Sequence, residues 1–416
     1  MKGLRTLAAP ITLLFALLGS APSAAASGPA FPRLLGMEIG TSHYLAPKLE
    51  SRILRLNIVI LNFWRGQRIE GHRMGYVVRT LKYLAPHLVI GQYTIMDAAY
   101  KGSWDPAQAD IAAKLTREDW WLRGPGGHRI QLAAVNHNYQ TNFTRFTRKD
   151  AQGQRYPQWL AARDDQLFFQ KAPFDLWFFD DVGAKERGPR ADWHGDGVRV
   201  SSAQAAIQHA YRAGQAAEWA AARALAPHLL FMGNADNDLH YPTYRGKLQG
   251  AFLEGLMGRS WSLATWAGWD RMMRRYRDVF ANLAPPKLVG FNVAGNPKNY
   301  RFFRFAFTSC LMDNGYFSFT DKKHLYATLP WFDEYNITLG YPLDPPQRKP
   351  WRHGVYRRRF QDGVALVNPT DQPETVTVHG YRHFLGGQDP RVNNGRPVTR
   401  VRLAPRDGVV LVDQGP

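Results

Sequence analysis

Short apolar runs separated by helical patterns organise the first 340 residues. Eight runs of five to eight residues are rich in β-branched and aromatic side chains, which is typical of buried strands. They lie at residues 33–40, 56–63, 87–94, 174–181, 229–234, 250–254, 287–292 and 315–319. Segments with helical periodicity or many alanines predict helices at residues 76–84, 203–225, 263–283 and 300–311. Eight strands that alternate with helices predict a (β/α)8 barrel.

Two details of this pattern carry further expectations. In the helical segment 263–283, the helical spacing of Trp266, Trp269, Met273 and Tyr276 predicts side chains that face the core. Residues 98–173 form a long insertion between the third and fourth strands, and the insertion contains Trp120 and Trp121. Long insertions in barrels are often functional, so we expect a loop over the mouth of the barrel here.

The pattern changes after residue 340. Pro342, Pro345, Pro346 and Pro350 are typical of a linker, and short alternating runs separated by turn signals follow them. These runs predict a small antiparallel β domain, a sandwich. The expected division is therefore a barrel at residues 27–340, a linker at 341–353 and a β domain at 354–416.

The N-terminus predicts export from the cytoplasm. Lys2 and Arg5 precede a short apolar run, and Ala24, Ala25 and Ala26 form a small-residue cleavage site, so residues 1–26 are typical of a signal peptide. The run is too short for a comfortable membrane span, so we expect no stable membrane insertion after cleavage, and a retained membrane anchor is the structural alternative. The expected location is secreted or periplasmic, and the single cysteine, Cys310, excludes an internal disulfide.

Charge narrows the class of partner. The formal net charge is +19, and loss of Lys2 and Arg5 leaves +17 (19 minus 2), which favours polyanions. An acidic or cell-surface polysaccharide is one explanation, and a general solubility effect is the other. No recognition motif accompanies the charge, so we do not expect a nucleic-acid partner. The 13 Trp, 18 Tyr and 23 Phe residues exceed what core packing requires, and aromatic rings stack on sugars.

Two carboxylates end predicted barrel strands. In Phe174–Val182, side chains alternate, so Leu176, Phe178 and Asp180 share one side of the strand and Asp181 points to the other. Glu254 likewise ends the apolar run of the sixth strand. Strand ends meet at the carboxyl-terminal mouth of a barrel, where catalytic groups lie. A helix cap or turn at Asp180, and a salt-bridged rim residue at Glu254, are the structural alternatives.

This pair suits the hydrolysis of glycosidic bonds. One carboxyl group protonates the leaving oxygen, and the other attacks the anomeric carbon or activates water. Apolar surroundings raise the pKa of a carboxyl group, and Glu254 follows Ala251, Phe252 and Leu253, which favours an acid at this position.

The same residues carry a family resemblance. Phe174–Val182, with the letters FDLWFFDDV, resembles the fourth-strand pattern D-G-V-F-L-D-N-V of barrel glycoside hydrolases, and FLEG at residues 252–255 resembles their sixth-strand carboxylate. Residues 33–340 are similar to the glycoside-hydrolase-like barrel families, and more distantly to the family-114 endo-α-1,4-polygalactosaminidases. The resemblance implies a glycosidase in which Asp180 is the nucleophile and Glu254 the acid/base. Leu176 replaces a glycine of the pattern, and Asp181 replaces an asparagine.

Other polar and aromatic residues are candidates for substrate binding. Glu38 and Asp97 close the first and third strands, and Asn234 and Asp236 follow the fifth, where they could contact sugar hydroxyls together with Asp181. Each is explained equally well as a cap or turn residue. Three tryptophans are candidate stacking platforms, with core burial as the alternative. These are Trp120, Trp121 and Trp261.

Two other classes of function compete with a glycosidase. Asp236, Asp238 and His240, or Asp192, His194 and Asp196, have the character of metal ligands, but neither set matches a defined metal motif. A non-catalytic polysaccharide-binding barrel is the second alternative. The prediction therefore includes no metal and no cofactor.

Overall fold

A computed structural model describes residues 28–100, 108–133, 138–186, 190–235 and 237–415. Eight parallel strands form one sheet in chain order. They are β1 (Leu35–Glu38), β2 (Ile58–Leu61), β3 (Val89–Ile95), β4 (Leu176–Val182), β5 (Leu230–Ala235), β6 (Gly250–Met257), β7 (Leu288–Gly295) and β8 (Tyr316–Asp321). Each of the eight predicted strands is present. The predicted signal peptide lies outside the described residues.

The sheet closes into a barrel with an apolar interior. Leu34 bridges Phe317 in the parallel sense, and the Phe317 N–H donates to the Arg33 carbonyl at 2.8 Å, which joins β8 to β1. Alternate residues of the strands fill the interior, as the period of two in a strand requires. The interior cluster is Leu35, Met37, Ile58, Ile60, Leu176, Phe178, Met232, Phe252, Leu288 and Tyr316. The fold is a (β/α)8 barrel, as predicted.

Helices cover the outside of the barrel. They are α1 (Pro47–Ile53), α2 (Met74–Leu84), α3 (Ala109–Arg117), α4 (Tyr156–Asp164), α5 (Ala205–Leu225), α6 (Leu263–Ala267), α7 (Trp269–Asp278) and α8 (Tyr300–Leu311). The predicted helix at 263–283 is divided at Gly268, whose φ of 82° belongs to the left-handed region. This break turns Trp266 outward, so the prediction that Trp266 faces the core is wrong, whereas Trp269 and Tyr276 are buried.

The insertion between β3 and β4 has its own core. It contains α3, α4, short strands at Ala98–Tyr100, Gln131–Ala133 and Asn138–Gln140, and a π-helical turn at Asp165–Phe169. Trp120, Trp121, Tyr156 and Leu160 are buried in that core. The insertion is therefore a packed structure rather than a simple loop.

A five-stranded antiparallel sheet follows the barrel. Its strands are β9 (Tyr356–Phe360), β10 (Gly363–Asn368), β11 (Glu374–His383), β12 (Pro397–Leu403) and β13 (Asp407–Asp413), in the order β9-β10-β13-β11-β12. Ala365 and Val367 of β10 join the large core shared with the barrel, whereas Val364 and Leu366 pack with the valines and leucines of β11 and β12. Both faces of β10 are thus buried, which is sandwich-like packing.

The proline-rich segment before this sheet is held by hydrogen bonds. The Leu343 N–H donates to the Arg359 carbonyl at 2.9 Å, and the Gln347 N–H donates to the Met312 carbonyl at 2.8 Å. Among the described residues, no helix has both the length and the apolar character needed to cross a membrane.

Candidate active site

Strand parity brings polar side chains together at the carboxyl-terminal end of the barrel. Asp180 follows the interior residue Phe178 on β4, Asn234 follows Met232 on β5, and Glu254 follows Phe252 on β6. Each polar residue therefore lies on the interior side, one step beyond the apolar cluster. The apolar interior ends here, and the half-buried carboxyl groups stand above it.

One amide bridges the two carboxylates. The Asn234 Nδ2 donates to Asp180 Oδ1 at 2.9 Å and to Glu254 Oε2 at 2.9 Å. Two tyrosines complete the arrangement: the Tyr93 hydroxyl donates to Asp180 Oδ2, and the Tyr326 hydroxyl donates to Glu254 Oε1. Each oxygen of the pair thus accepts a hydrogen bond, which fixes the orientation of both carboxylates.

The shared donor sets the separation of the carboxylates. Two oxygens that are each 2.9 Å from one nitrogen lie at most 5.8 Å apart (twice 2.9 Å). When each takes one of the two amide hydrogens, which diverge by about 120°, the separation is about 5 Å. Retaining glycosidases hold their carboxyl groups about 5–5.5 Å apart, and inverting enzymes about 6.5–9.5 Å apart.

Asp180 is electrostatically unusual. Burial raises the pKa of Asp180 to about 6; the hydrogen bonds from Tyr93 and Asn234 oppose this, and the charges of Asp181 and Glu254 add to it. Desolvation disfavours the ionised form, and neighbouring negative charge acts in the same direction. The midpoint of ionisation of the Asp180 carboxyl group therefore lies about one pH unit below neutrality, and the group is mostly ionised at pH 7.

This pKa predicts the acid side of a pH–activity profile. If ionised Asp180 is the reacting form, kcat/KM falls as pH drops below about 6, by about tenfold per pH unit. The measurement is kcat/KM from pH 4 to 8. A limb near pH 4, the ordinary range of a carboxyl group, would contradict the buried environment assigned to Asp180.

Backbone irregularities shape both strand ends. Asp181 has a φ of 52°, and the pairing of β4 with β5 shifts register between Gly233 and Ala235. On β6, Gly255 has a φ of 58°, and its N–H donates to Asn292 Oδ1 at 2.9 Å. Bulges of this kind re-aim side chains at active sites. Here they accompany the turn of Asp180 and Glu254 into the mouth.

A groove opens beside Glu254. Its cavity of about 440 Å³ is lined by Asn234, Glu254, Trp261 and Trp266 among others. Trp261 is 54% exposed and Trp266 is 63% exposed. The Trp261 ring lies so close to Gly255 that a Cβ there would stand 2.4 Å from it, so this close contact requires glycine. The groove therefore presents aromatic faces next to a carboxylate.

A second groove opens on the opposite side of the pair. Its cavity of about 730 Å³ is lined by Tyr93 and Tyr326, the two tyrosines that bond the carboxylates, and by Trp64. Trp64 is 40% exposed. Exposed aromatic rings thus flank the carboxylates on both sides of the mouth.

The chain matches one family model. Residues 78–364, more than half of the chain, match the model described as hypothetical glycosyl hydrolase family 15. The chain belongs to hypothetical glycosyl hydrolase family 15. Membership supports hydrolysis of glycosidic bonds, as the sequence predicts. No protein among the curated proteins matches this family member.

Solved structures share the fold of this family member at low sequence identity. Eubacterium rectale Amy13B is 9% identical, with 92% of this chain and 96% of that chain covered and a TM-score of 0.51. A family GH13_31 enzyme is 9% identical, with 92% and 99% covered and a TM-score of 0.50. The glycoside hydrolase domain of PelA from Pseudomonas aeruginosa is 13% identical, with 73% and 98% covered and a TM-score of 0.45. At such identities the likeness to the first two shows the barrel fold alone.

The structure does not bring every predicted substrate-binding residue to the mouth. Trp120 and Trp121 are 0% and 2% exposed, and their indole N–H groups donate to the Arg148 carbonyl and Thr116 Oγ1 inside the insertion. The insertion buries them in its own core, so the prediction that they are stacking platforms is wrong. Trp261 is the one of the three that lines a groove beside the carboxylates.

Among the predicted polar residues, Glu38 does not face the mouth. Its strand neighbours Leu35 and Met37 fill the barrel interior, so Glu38 lies on the outer side, where burial raises its pKa and the Arg52 charge opposes the rise. The prediction that Glu38 contacts substrate is therefore wrong. Asp181 is exposed and lines the smaller groove, whereas Asp97 is buried and lines neither groove. Asp236 lies outside the described residues.

Sequence reasoning missed three residues of the site. Tyr93 stands on the interior side of β3, and alternation from Gly91 could have identified it. Tyr326 follows β8 in a loop, and no local pattern points to it. Trp64 follows β2, and no local sequence pattern points to it either. These residues become recognisable only when the barrel brings strand ends together.

The residues proposed as metal ligands have other contacts. Asp192 accepts hydrogen bonds from the Gly195 N–H at 2.7 Å and the Gly197 N–H at 2.9 Å, which stabilises a turn. Asp238 accepts from the Ala184 N–H at 2.8 Å. Across the described ranges, no group of three or more His, Cys, Asp or Glu residues is arranged to hold a metal ion.

Proposed function

We propose that the protein is a secreted, retaining glycoside hydrolase that cleaves within polysaccharide chains. The observation that carries this proposal is the Asn234 amide, which holds Asp180 and Glu254 at the barrel mouth about 5 Å apart. We further propose a catalytic barrel at residues 27–340, a linker at 341–353 and a companion β domain at 354–416.

We assign the roles of the two carboxylates from the family resemblance and from the groove beside Glu254. In this mechanism Asp180 attacks the anomeric carbon and forms a glycosyl–enzyme ester while Glu254 donates its proton to the leaving oxygen. Glu254 then takes a proton from water, which attacks the ester and releases Asp180. A pKa of about 6 leaves Asp180 ionised at neutral pH, as a nucleophile needs. Glu254 lines the groove beside Trp261, where the leaving sugar would lie.

The two grooves support cleavage within a chain. A polysaccharide that crosses the carboxylates would contact Trp64 in the larger groove and Trp261 in the smaller one. Aromatic faces bind sugar rings through their apolar C–H surfaces, with energies of about 0.5–1.5 kcal/mol beyond area burial for aromatic pairs. The positive net charge favours an acidic polysaccharide, and the distant resemblance to family-114 polygalactosaminidases adds amino-sugar polymers as candidates.

The proposal predicts release of reducing ends from polymers with products of intermediate length. The substrates to test are polygalacturonate, polygalactosamine and a neutral glucan, each with and without a chelator. Proton NMR of the first products should show the anomeric configuration of the cleaved bond. Inverted products would contradict the retaining mechanism, chelator-sensitive activity would favour a metal enzyme, and binding without cleavage would favour a polysaccharide-binding barrel.

The groove assignment has a matched control. Trp64→Ala should raise KM by about fivefold, since it removes a contact of about 1 kcal/mol. Tyr83→Ala removes an aromatic side chain that is 85% exposed on α2 and lies in neither groove, so its KM should not change. Equal KM values for both variants would show that the larger groove does not bind the polymer.

A further inference from the structure

The two exposed tryptophans of the smaller groove each lie beside an arginine. Trp261 and Trp266 line this groove together with Glu254. The guanidinium carbon of Arg259 is 5.7 Å from the centre of the Trp261 ring. The guanidinium carbon of Arg271 is 5.6 Å from the centre of the Trp266 ring. At these distances a cation is attracted to the face of an aromatic ring, so a basic group is held at each tryptophan of the groove.

Hydrogen bonds fix the loop that carries Arg259. Gly258 has a φ of 93°, and a Cβ there would stand 1.8 Å from the Ala294 carbonyl oxygen, so the position requires glycine. The Arg259 N–H donates to Ser262 Oγ at 2.9 Å, and the Arg259 carbonyl accepts from the Thr265 hydroxyl at 2.9 Å. The main chain of Arg259 is therefore set in place beside the groove without a ligand.

Neither guanidinium group is neutralised within the described part of the chain. No carboxylate there forms an ion pair with Arg259 or Arg271, and Arg259 Nε is buried without a hydrogen-bond acceptor. Arg271 is exposed, and Arg259 is half-buried. Arginine stays protonated in proteins, so both residues keep a positive charge that the surrounding protein does not compensate.

Helix α7 adds a third positive charge. Arg275 lines the groove and follows Arg271 by four residues, which places both on one face of the helix. Met272, Met273 and Tyr276 of the same helix are buried in the core. Like charges at this spacing repel each other, so α7 concentrates positive charge beside the groove at some cost to its own stability.

The larger groove differs in its charge balance. Its basic lining residues are Arg163 and His324. Arg163 pairs with Asp110 at 2.7 Å and with Asp164 at 2.7 Å. His324 lies 2.7 Å from Asp321. Each basic group of the larger groove thus has a carboxylate partner in the protein, whereas Arg259 and Arg271 of the smaller groove have none among the described residues.

The acidic groups of the smaller groove do not remove this difference. Among the described residues, its carboxyl groups are Asp181 and Glu254. In the mechanism proposed above, Glu254 carries a proton when substrate is bound, so Asp181 alone is negative. A negatively charged sugar would therefore meet more positive than negative charge here.

We propose that the smaller groove binds sugar residues that carry a carboxylate, with Arg259 and Arg271 as the residues that determine this specificity. The planar fork of a guanidinium group matches a carboxylate, and the adjacent tryptophan face packs on the sugar ring. This inference rests on the glycosidase function proposed above. Since the groove lies on the side of Glu254, the charged sugar belongs to the leaving part of the polymer, and the substrate class is a polymer that contains uronic acids.

Binding to polymers tests this specificity without catalysis. The probes are polygalacturonate, polymannuronate and hyaluronate, each beside its carboxyl-reduced form, in affinity electrophoresis of full-length Asp180→Asn protein. Arg259→Gln combined with Arg271→Gln should weaken binding of a polyuronate about tenfold, because each exposed charge pair contributes up to about fivefold. Arg271→Gln alone, a change at an exposed side chain, should weaken it about threefold. Binding of the carboxyl-reduced polymers should not change.

A matched control removes the same charge elsewhere. Arg400 and Arg402 are exposed on β12 and line neither groove, so Arg400→Gln combined with Arg402→Gln should change Kd by less than about twofold. Equal weakening by the two double variants would show that net charge alone attracts the polymer. That result, or the absence of any polyuronate that binds more tightly than its carboxyl-reduced form, would overturn the proposal.

Activity separates this proposal from the glycosidase function. With Asp180 restored, the Arg259 and Arg271 double variant should lower kcat/KM about tenfold on the polyuronate and leave it unchanged on the carboxyl-reduced form. Cleavage of both forms with equal kcat/KM would overturn the specificity and leave the glycosidase intact. Arginine-dependent binding with no cleavage of any polymer would support the groove assignment and overturn the glycosidase function.

Discussion

Replacing Asp180 with asparagine, or Glu254 with glutamine, should lower kcat/KM by about 10²–10⁴-fold on a polymer that the wild type cleaves. Asp180→Asn removes the charge that attacks the anomeric carbon, and Glu254→Gln removes the proton for the leaving oxygen. Both replacements preserve size, and the amide can still meet the neighbouring hydroxyl and amide groups. Initial rates of reducing-end release measure the effect.

Asp181→Asn is the matched control for Asp180→Asn. The Asp181 side chain is exposed and takes no part in the hydrogen bonds that hold the carboxylate pair, so the decrease in kcat should be much smaller. If Asp181→Asn abolished activity while Asp180→Asn left it intact, Asp181 would be the nucleophile.

Azide rescue of the Asp180→Asn and Glu254→Gln variants distinguishes the roles of the two proposed carboxylates. With the nucleophile variant it attacks from the vacated face and gives a glycosyl azide of inverted configuration, whereas the acid/base variant gives the retained configuration.

Asp180→Asn should leave the fold intact and should raise the free energy of unfolding at high pH. The folded pKa of Asp180, about 6, lies above its unfolded value of about 3.9, so the stability associated with this group is lost as pH rises from about 4 to about 6. Asp180→Asn avoids that loss, by up to about 3 kcal/mol at pH 8 and by almost nothing at pH 3. Loss of both activity and folding would mean that Asp180 has a structural role.

The barrel was predictable because its signals are local. Each barrel strand is a short apolar run, and the alternation at Leu176, Phe178 and Asp180 already places the carboxylate on the interior side. The same parity applies to Glu254. Strand identity and parity require no knowledge of distant residues.

The rest of the site depends on tertiary contacts. Tyr326 reaches Glu254 across 72 positions of sequence, and Tyr93 reaches Asp180 across 87 positions because β3 and β4 are adjacent. Trp120 and Trp121 could not be separated from Trp261 by residue type, since a tryptophan suits both a core and a sugar platform. The insertion buries the first two, and the contact with Gly255 leaves the third at the mouth.

Replacement of Arg358 should have the largest effect on the free energy of unfolding. It lies on β9 and is 1% exposed, and its guanidinium group donates to the carbonyls of Leu311 at 3.0 Å and Asp313 at 2.6 Å, and to Asn314 Oδ1 at 2.6 Å. These acceptors lie on the last residue of α8 and in the turn that leads to β8, so one side chain ties the C-terminal sheet to the barrel. A buried acceptor that loses its donor costs about 1–3 kcal/mol.

Arg358→Met should therefore lower the free energy of unfolding by about 3–5 kcal/mol, because methionine fills similar space but leaves these acceptors unpaired. Arg359→Met is the neighbouring control. Arg359 pairs with Asp344 at 2.8 Å from a side chain that is 47% exposed, and such pairs contribute about 0–1 kcal/mol. Thermal and urea unfolding of the full-length variants compare the two. Equal destabilisation by both substitutions would show that the buried guanidinium does not hold the sheet to the barrel, and that apolar contacts of Ala365, Val367 and Val410 are sufficient.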